Sequence, residues 1–180
     1  MQKVRYDRIT VIFHWLTAAI FLFMFTSPYI WRLFERRTPP RLELQFLHFS
    51  FGLLLVVILA ARILWRLKHG RKLPAPNESR LYVLAKFAHY LLYAGLVVQL
   101  VLGIWLRLAQ NNPLVFFGFF EIPTPFDSQQ EHRKILAVAH DVVAWTIFTL
   151  ATAHALAALF HQFVLKDQLL ERVGFELRGE

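Results

Sequence analysis

The chain has 180 residues, of which 57% are hydrophobic and 18% charged, and its formal net charge is +8. A soluble domain is about 45–50% apolar and about 25% charged, so this composition excludes a disordered chain and favours one membrane domain. The absence of cysteine excludes disulfides, iron–sulfur clusters, thiolate zinc sites and covalently attached c-type haem. In a membrane protein, the excess of positive charge indicates basic loops at the lipid surface rather than nucleic-acid binding.

Four long apolar stretches follow one another along the chain, at about residues 9–31, 44–66, 81–107 and 135–165. Each reaches the ~20 residues that a helix needs to cross ~30 Å of hydrocarbon, and none alternates like a strand of a membrane barrel. Turn-forming residues separate them, among them Pro39, Pro40, Pro113 and Pro125. The sequence therefore predicts an all-α fold over residues 1–180, an integral membrane four-helix bundle.

The distribution of basic residues predicts the orientation of this bundle. Four spans put both termini on one side, and 13 of the 20 Lys and Arg residues fall on that side. The other side holds seven: Arg32, Arg36, Arg37, Arg41, Arg107, Arg133 and Lys134. By the positive-inside rule, we expect both termini in the cytoplasm.

Histidines are concentrated in the spans. Of the eight in the chain, six lie inside the apolar stretches or at their ends: His14, His48, His89, His140, His154 and His161. Ionisable groups in hydrocarbon are costly and mark functional sites. His140 and His154 are 14 residues apart, so on a helix they share one face at a separation of about 21 Å. Judged by depth, His48 pairs with His140 near the outer surface, and His14 pairs with His154 near the inner surface.

Two imidazoles that face each other across a bundle core are a ligand set for a metal. A zinc site takes three or four ligands at one depth, and copper sites usually include Met or Cys. A haem brings four nitrogens of its own and needs only two axial ligands and an apolar slot. We therefore expect the bundle to enclose two b-type haems, the inner one held by His14 and His154 and the outer one by His48 and His140.

Two more residues of the second span share the face of His48. Arg62 is 14 residues further on, at the expected depth of the inner haem, where it contacts a propionate or the porphyrin edge. A side chain that extends to the membrane surface is the equal alternative. Gly52, one turn beyond His48, leaves room for the porphyrin plane, although close helix packing explains a glycine there equally well.

These features resemble the bacterial cytochrome b561 family of four-helix di-haem membrane proteins. The resemblance covers nearly the whole chain and rests on the order and spacing of these residues: His14-Trp15, His48, His140, His154 and the stretch from His161 to Asp167. The superoxide oxidase branch is the most similar, since its members have this length and share the stretch seen here as Arg66-Leu67-Lys68. Di-haem subunits of hydrogenases and formate dehydrogenases carry the same arrangement of ligands.

The resemblance implies that the four paired histidines bind haem and that ubiquinone binds near the cytoplasmic haem, close to His161. The second loop departs from that branch in its prolines and lysines, so the quinone contacts stay open. Our candidates are His161, His89 and Lys86. His161 is alternatively a histidine solvated at the interface, and His89 is alternatively a propionate partner or the inner axial ligand in place of His14.

The resemblance further implies that superoxide delivers electrons on the periplasmic side. Four arginines gather there beside the predicted outer haem: Arg32, Arg36, Arg37 and Arg41. A cationic patch raises the association rate of an anion such as superoxide by roughly 10–1,000-fold. Binding of lipid headgroups explains these arginines equally well.

The sequence thus favours an enzyme of the bacterial inner membrane, a superoxide oxidase that passes electrons from periplasmic superoxide to ubiquinone. It is expected to need no obligatory protein partner and no nucleic acid. The alternative is an electron-transfer subunit that links a periplasmic dehydrogenase or another redox partner to the quinone pool. A third hypothesis, a transporter with histidines in its pore, does not explain the pairing at two depths.

Overall fold

The structure is a computed structural model that describes residues 5–69, 80–124, 130–166 and 169–174. The loop at residues 70–79 and Pro125 lie outside the described residues.

Four long helices make up most of the fold. They are α1 (Arg8–Trp31), α2 (Pro39–Lys68), α3 (Arg80–Ala109) and α4 (Gln130–Phe160). Asp7 caps α1 by accepting a hydrogen bond from the backbone N–H of Thr10 at 2.9 Å, and α2 begins with Pro39, where the missing N–H costs no helical bond. All four contain stretches that are long and apolar enough to cross a membrane. The predicted all-α membrane four-helix bundle is confirmed.

The bundle is built from two helical hairpins. α1 packs along α2 and α3 packs along α4, while the contact between the two hairpins is sparser. Gly95 brings α3 against α4, because a Cβ at this position would lie 2.9 Å from Cγ1 of Ile147. At mid-height, Leu59, Leu96 and Ile147 form a buried cluster that joins α2, α3 and α4.

Most of the apolar surface of the helices faces outward. Val57, Val83 and Ile135 are 62%, 67% and 70% exposed, respectively. Such side chains are covered by acyl chains rather than by protein when the bundle lies in a bilayer.

Residues 5–7 and 169–174, the described residues nearest the two ends of the chain, lie together at one end of the bundle, which we call the inner end. A 3₁₀ helix (Leu169–Val173) folds back there onto the start of α1. The indole N–H of Trp15 donates to the carbonyl of Val173 at 2.9 Å, and the backbone N–H of Tyr6 donates to the carbonyl of Arg172 at 3.1 Å. A five-residue π-helix (His161–Leu165) links α4 to this region.

The opposite end, which we call the outer end, holds a short antiparallel β-hairpin. Its strands are β1 (Leu114–Phe116) and β2 (Phe120–Ile122), with Phe116 paired with Phe120. The sequence predicted only a loop between the third and fourth spans. Three-residue strands lie below the length at which alternation of polar and apolar residues becomes visible.

Candidate haem-binding histidines

The inner histidines surround a cavity between the two helical hairpins. His14 of α1 and His154 of α4 line it together with Arg62 of α2 and His89 of α3. The remaining walls are largely apolar, and the cavity measures about 100 Å³ and opens partly to the outside. We call this cavity the inner site.

Ring distances separate the two candidate partners of His154. The ring centres of His14 and His154 are 6.5 Å apart, whereas those of His89 and His154 are 4.9 Å apart. A metal–imidazole bond is about 2.0–2.1 Å, so two imidazoles on opposite sides of one metal ion have ring centres roughly 6 Å apart. The spacing of His14 and His154 matches this value, and that of His89 and His154 is too short.

Arg62 reaches across the inner site to His14. Its Nη2 lies 3.2 Å from Nδ1 of His14, and its guanidinium stacks 5.1 Å from the ring centre of Tyr93. Because a guanidinium only donates, Nδ1 of His14 accepts this bond and the ring proton sits on Nε2. The cation is therefore held inside the cavity by an acceptor and an aromatic face.

His48 is the more deeply buried histidine of the outer pair, with 9% of its surface exposed. Its Nδ1 lies 2.8 Å from Oγ of Ser27, which is fully buried and donates its own proton to the carbonyl of Met24 at 3.3 Å. Ser27 therefore accepts the Nδ1–H of His48, which leaves Nε2 with a free lone pair. The ring of Trp31 at the end of α1 completes the enclosure, 5.2 Å from that of His48.

His140 of α4, the other predicted histidine of the outer pair, is incompletely bonded. The amide of Gln99 contacts its Nε2 at 3.1 Å, while Nδ1 of His140 and Oε1 of Gln99 are buried without a hydrogen-bond partner. Gly103 makes room for the ring, since a Cβ there would lie 3.1 Å from Cε1 of His140. We call the region of His48 and His140 the outer site.

The residues at these two sites fit a haem better than a bare metal ion. In the part of the chain that the structure describes, no three His, Cys, Asp or Glu side chains are placed to hold a metal ion together. Each site instead offers an imidazole from each helical hairpin. Buried polar atoms without a partner are rare in proteins, and the unpartnered Nδ1 of His140 is a nitrogen that could bind a ligand.

Sequence reasoning missed the hydrogen-bond partners of the histidines. Ser27 and Gln99 are polar residues inside apolar stretches, and this is the signal that would have identified them. Tyr93 carried no comparable signal, because aromatic residues are common in all four spans. Gly52, predicted to contact a porphyrin, lies against α1, where a Cβ would be 3.3 Å from Cε of Met24.

The three candidates for quinone binding do not all lie at the inner site. His89 lines the inner site, and its Nδ1 donates to the carbonyl of Ala85 at 2.6 Å. Lys86, one turn away on α3, and His161, in the π-helix after α4, are not among the residues that line this cavity.

Three of the four arginines lie in the turn between α1 and α2, and Arg41 lies in the first turn of α2; we call the segment from Arg32 to Arg41 the arginine turn. Three are exposed and Arg41 is half-buried, with its Nη1 donating to the carbonyl of Phe34 at 3.0 Å. Arg32 lies over the ring of Tyr29 at 5.6 Å. Because Trp31 touches His48, the arginine turn begins directly beside the outer site.

Comparison with known proteins agrees with this architecture. Residues 5–175 match the family described as prokaryotic cytochrome b561. Cytochrome b561 homolog 2 of Escherichia coli (strain K12) is 30% identical over 177 residues, which cover 94% of this chain and 90% of that protein. Probable superoxide oxidase CybB of Yersinia pestis is 26% identical over 176 residues, covering 97% and 98%. The chain therefore belongs to the prokaryotic cytochrome b561 family of membrane proteins, which bind haem b and transfer electrons.

Proposed function

We propose that this protein is a superoxide oxidase, which takes electrons from superoxide at the outer end of the bundle and delivers them to ubiquinone at the inner end. The observation that carries the proposal is the position of the arginine turn. Trp31 precedes Arg32 in the chain and contacts His48, so an anion gathered by this turn arrives beside the outer site. A relative named probable superoxide oxidase supports the same assignment.

In this proposal, four histidines hold two b-type haems. The 6.5 Å spacing of His14 and His154 supports them as the axial ligands of the inner haem, and the shorter approach of His89 argues against it as a ligand. The free Nε2 of His48 supports His48 and His140 as the outer pair. A haem held by each of these pairs would supply one-electron transfer.

Arg62 has a second role in this proposal. If His14 bound an iron through Nε2, its ring proton would sit on Nδ1, and Arg62 would lose His14 as an acceptor. A guanidinium in a largely apolar cavity needs an anion, and a propionate carboxylate matches it in charge and geometry. The ring of Tyr93, 5.1 Å away, keeps the guanidinium at the inner site when its partner changes from His14 to a propionate.

The reaction balances with two superoxide anions, one quinone and two protons. Two superoxide anions each lose one electron and leave as dioxygen, while ubiquinone takes up the two electrons and two protons to become ubiquinol. His89 is exposed beside the inner site, and Lys86 and His161 lie at the same end of the bundle. Histidine is suited to proton delivery at neutral pH because its unperturbed pKa is near 6.5.

The proposal includes an orientation and a compartment. The predicted topology assigns 13 of the 20 Lys and Arg residues to the side of the termini, which supports termini in the cytoplasm of a bacterium and an outer site that faces the periplasm. Superoxide does not cross a bilayer readily because it is charged, so the donor side must face the compartment where superoxide is formed.

The superoxide reaction is tested by charge reversal in the arginine turn. Arg36→Glu is expected to slow the reduction of the purified protein by superoxide by roughly 10-fold at low salt, and the difference from wild type should shrink as salt increases. Pulse radiolysis with detection of the haem spectrum gives this rate. Lys68→Glu changes the net charge equally at the inner end and serves as the control.

Equal rates for Arg36→Glu and wild type at low salt would contradict the steering role. If wild-type protein is reduced by superoxide only in the presence of a co-purifying subunit, the function is that of an electron-transfer subunit instead.

The identity of the histidine that binds the inner haem opposite His154 is tested by replacing each of the two candidates in turn. His14→Ala is expected to lose one of the two haems, because His154 alone leaves one axial position open, and His89→Ala is expected to keep both. Haem-to-protein ratios and reduced-minus-oxidised spectra of the two variants provide the comparison. Loss of a haem in His89→Ala with full retention in His14→Ala would reverse the assignment.

Ser27 is expected to tune the outer haem. The bond from Nδ1–H of His48 to Ser27 makes the imidazole more basic, which favours ferric iron. Ser27→Ala should therefore raise the reduction potential of the outer haem by about 40 mV, the equivalent of one hydrogen bond of about 1 kcal/mol. Spectroelectrochemical titration measures the shift.

Thr26→Val is the matched control, since the hydroxyl of Thr26 bonds only to backbone carbonyls of its own helix. An unchanged potential in Ser27→Ala, or an equal shift in Thr26→Val, would show that Ser27 does not act on His48.

A further inference from the structure

The β-hairpin at the outer end is attached to the bundle by one buried serine. Oγ of Ser50, a fully buried residue of α2, donates to the carbonyl of Val115 at 3.2 Å and accepts the backbone N–H of Phe117 at 3.1 Å. The ring of Phe117 packs edge-on against that of Phe51, with centres 5.2 Å apart. The turn of the hairpin is thus fixed against α2 by polar and apolar contacts.

Contacts between α1 and α2 give the depth of this attachment. Ser27 is level with His48, and Met24 is level with Gly52, so Ser50 lies between these two levels. α1 continues outward from Ser27 to Trp31, about one further turn of helix. The hairpin turn is therefore fixed below the level at which the first membrane span ends.

The side of the hairpin that faces away from the bundle is apolar and exposed. Phe119 is 83% exposed, Phe120 is 52% exposed and Ile122 is 48% exposed. The helices on which the hairpin packs are likewise apolar outside, as Val57 of α2 and Val101 of α3 are 62% and 55% exposed. The exposed side chains of the hairpin thus continue the lipid-facing surface of the spans.

We propose that this hairpin is a shallow membrane anchor, in which Phe119 and Phe120 insert among the acyl chains of the leaflet at the outer end. Burial of an aromatic or aliphatic side chain in an apolar medium is favourable. Two backbone N–H groups of the turn have partners there, since Phe117 donates to Ser50 and Phe119 donates to the carbonyl of Phe116.

One charged residue in the hairpin and two polar residues at its base limit how deeply the hairpin inserts. Glu121 is the one charged residue between Leu114 and Ile122, and it lies in β2 on the way back to the surface. At the base, the hydroxyl of Thr124 donates to Oδ1 of Asn111 at 2.7 Å. A strand rises about 3.3 Å per residue, so the turn lies below the headgroups while Glu121 remains among them.

Anchoring would also close the bundle beside the outer site. β1 packs on both α2 and α3, which belong to different helical hairpins. With its outer side in lipid, the hairpin covers the gap between these helices next to His48 and His140. The arginine turn then remains as an open polar approach to the outer site.

The absence of cysteine in the natural chain permits a direct test. Phe119→Cys in the full-length, haem-loaded protein is labelled with an environment-sensitive NBD fluorophore and reconstituted into phosphatidylcholine vesicles. Iodide in the water and nitroxide groups near the head of the acyl chains serve as the two quenchers. Arg36→Cys in the arginine turn is the water-exposed reference, and Val101→Cys is the lipid-facing reference.

We expect the label at position 119 to be quenched by shallow nitroxides to within twofold of the label at 101, and by iodide several-fold less than the label at 36. Iodide quenching equal to that at position 36 would overturn the proposal. Protection from both quenchers would also overturn it, since it would mean that protein, such as a second copy of the chain, covers the hairpin. Phe120→Cys gives the same readout if Phe119→Cys fails to retain its haem spectrum.

Discussion

The structure depends on one constraint: an imidazole inside a membrane bundle must have a partner for each of its nitrogens. Water does not reach these positions freely, and an unsatisfied polar atom in hydrocarbon costs several kcal/mol, about the value of a well-packed core side chain. His48 meets the constraint on one side through Ser27, and His14 does so through Arg62. His140 leaves Nδ1 buried without a partner. Nε2 of His48 and Nδ1 of His140 are the nitrogens left for an iron, whereas an iron at Nε2 of His14 would displace the bond to Arg62.

The same constraint explains the layered construction of the core. Leu55 is seven residues from both His48 and Arg62, and Ile147 is seven residues from both His140 and His154. On α3, Leu96 stands at the same spacing between His89 and Gly103. Seven residues correspond to about 10 Å of helix. Two polar layers are therefore separated by one apolar layer, which joins the helical hairpins and keeps the two sites apart.

Much of this could be predicted from the sequence. Apolar runs of more than 20 residues predict membrane helices because hydrocarbon thickness fixes their length. The spacing of His140 and His154 predicts that both lie on one face of one helix, and the structure brings His154 to His14. The link between the arginines and the outer site was also predictable, since Arg32 follows directly on the first span.

Other features could not be predicted because they depend on how different helices are placed. The sequence gives no register between α1 and α2, so Ser27 as the partner of His48 emerges only from the packing. The approach of His89 to His154 depends equally on the rotation of α3 against α4. The β-hairpin is held in place by hydrogen bonds to Ser50, a residue of α2 that lies far away in the sequence. Its strands are too short to have a pattern of their own.

We propose that the bundle holds two haems, each bound between one histidine of the α1–α2 hairpin and one histidine of the α3–α4 hairpin. The most direct test is electron paramagnetic resonance of the oxidised, purified wild-type protein, combined with a haem-to-protein ratio from the pyridine haemochrome. We expect two b-type haems per chain and two low-spin ferric signals, because imidazole would fill all four axial positions. One haem per chain, or a high-spin signal from an iron with an open axial position, would contradict it.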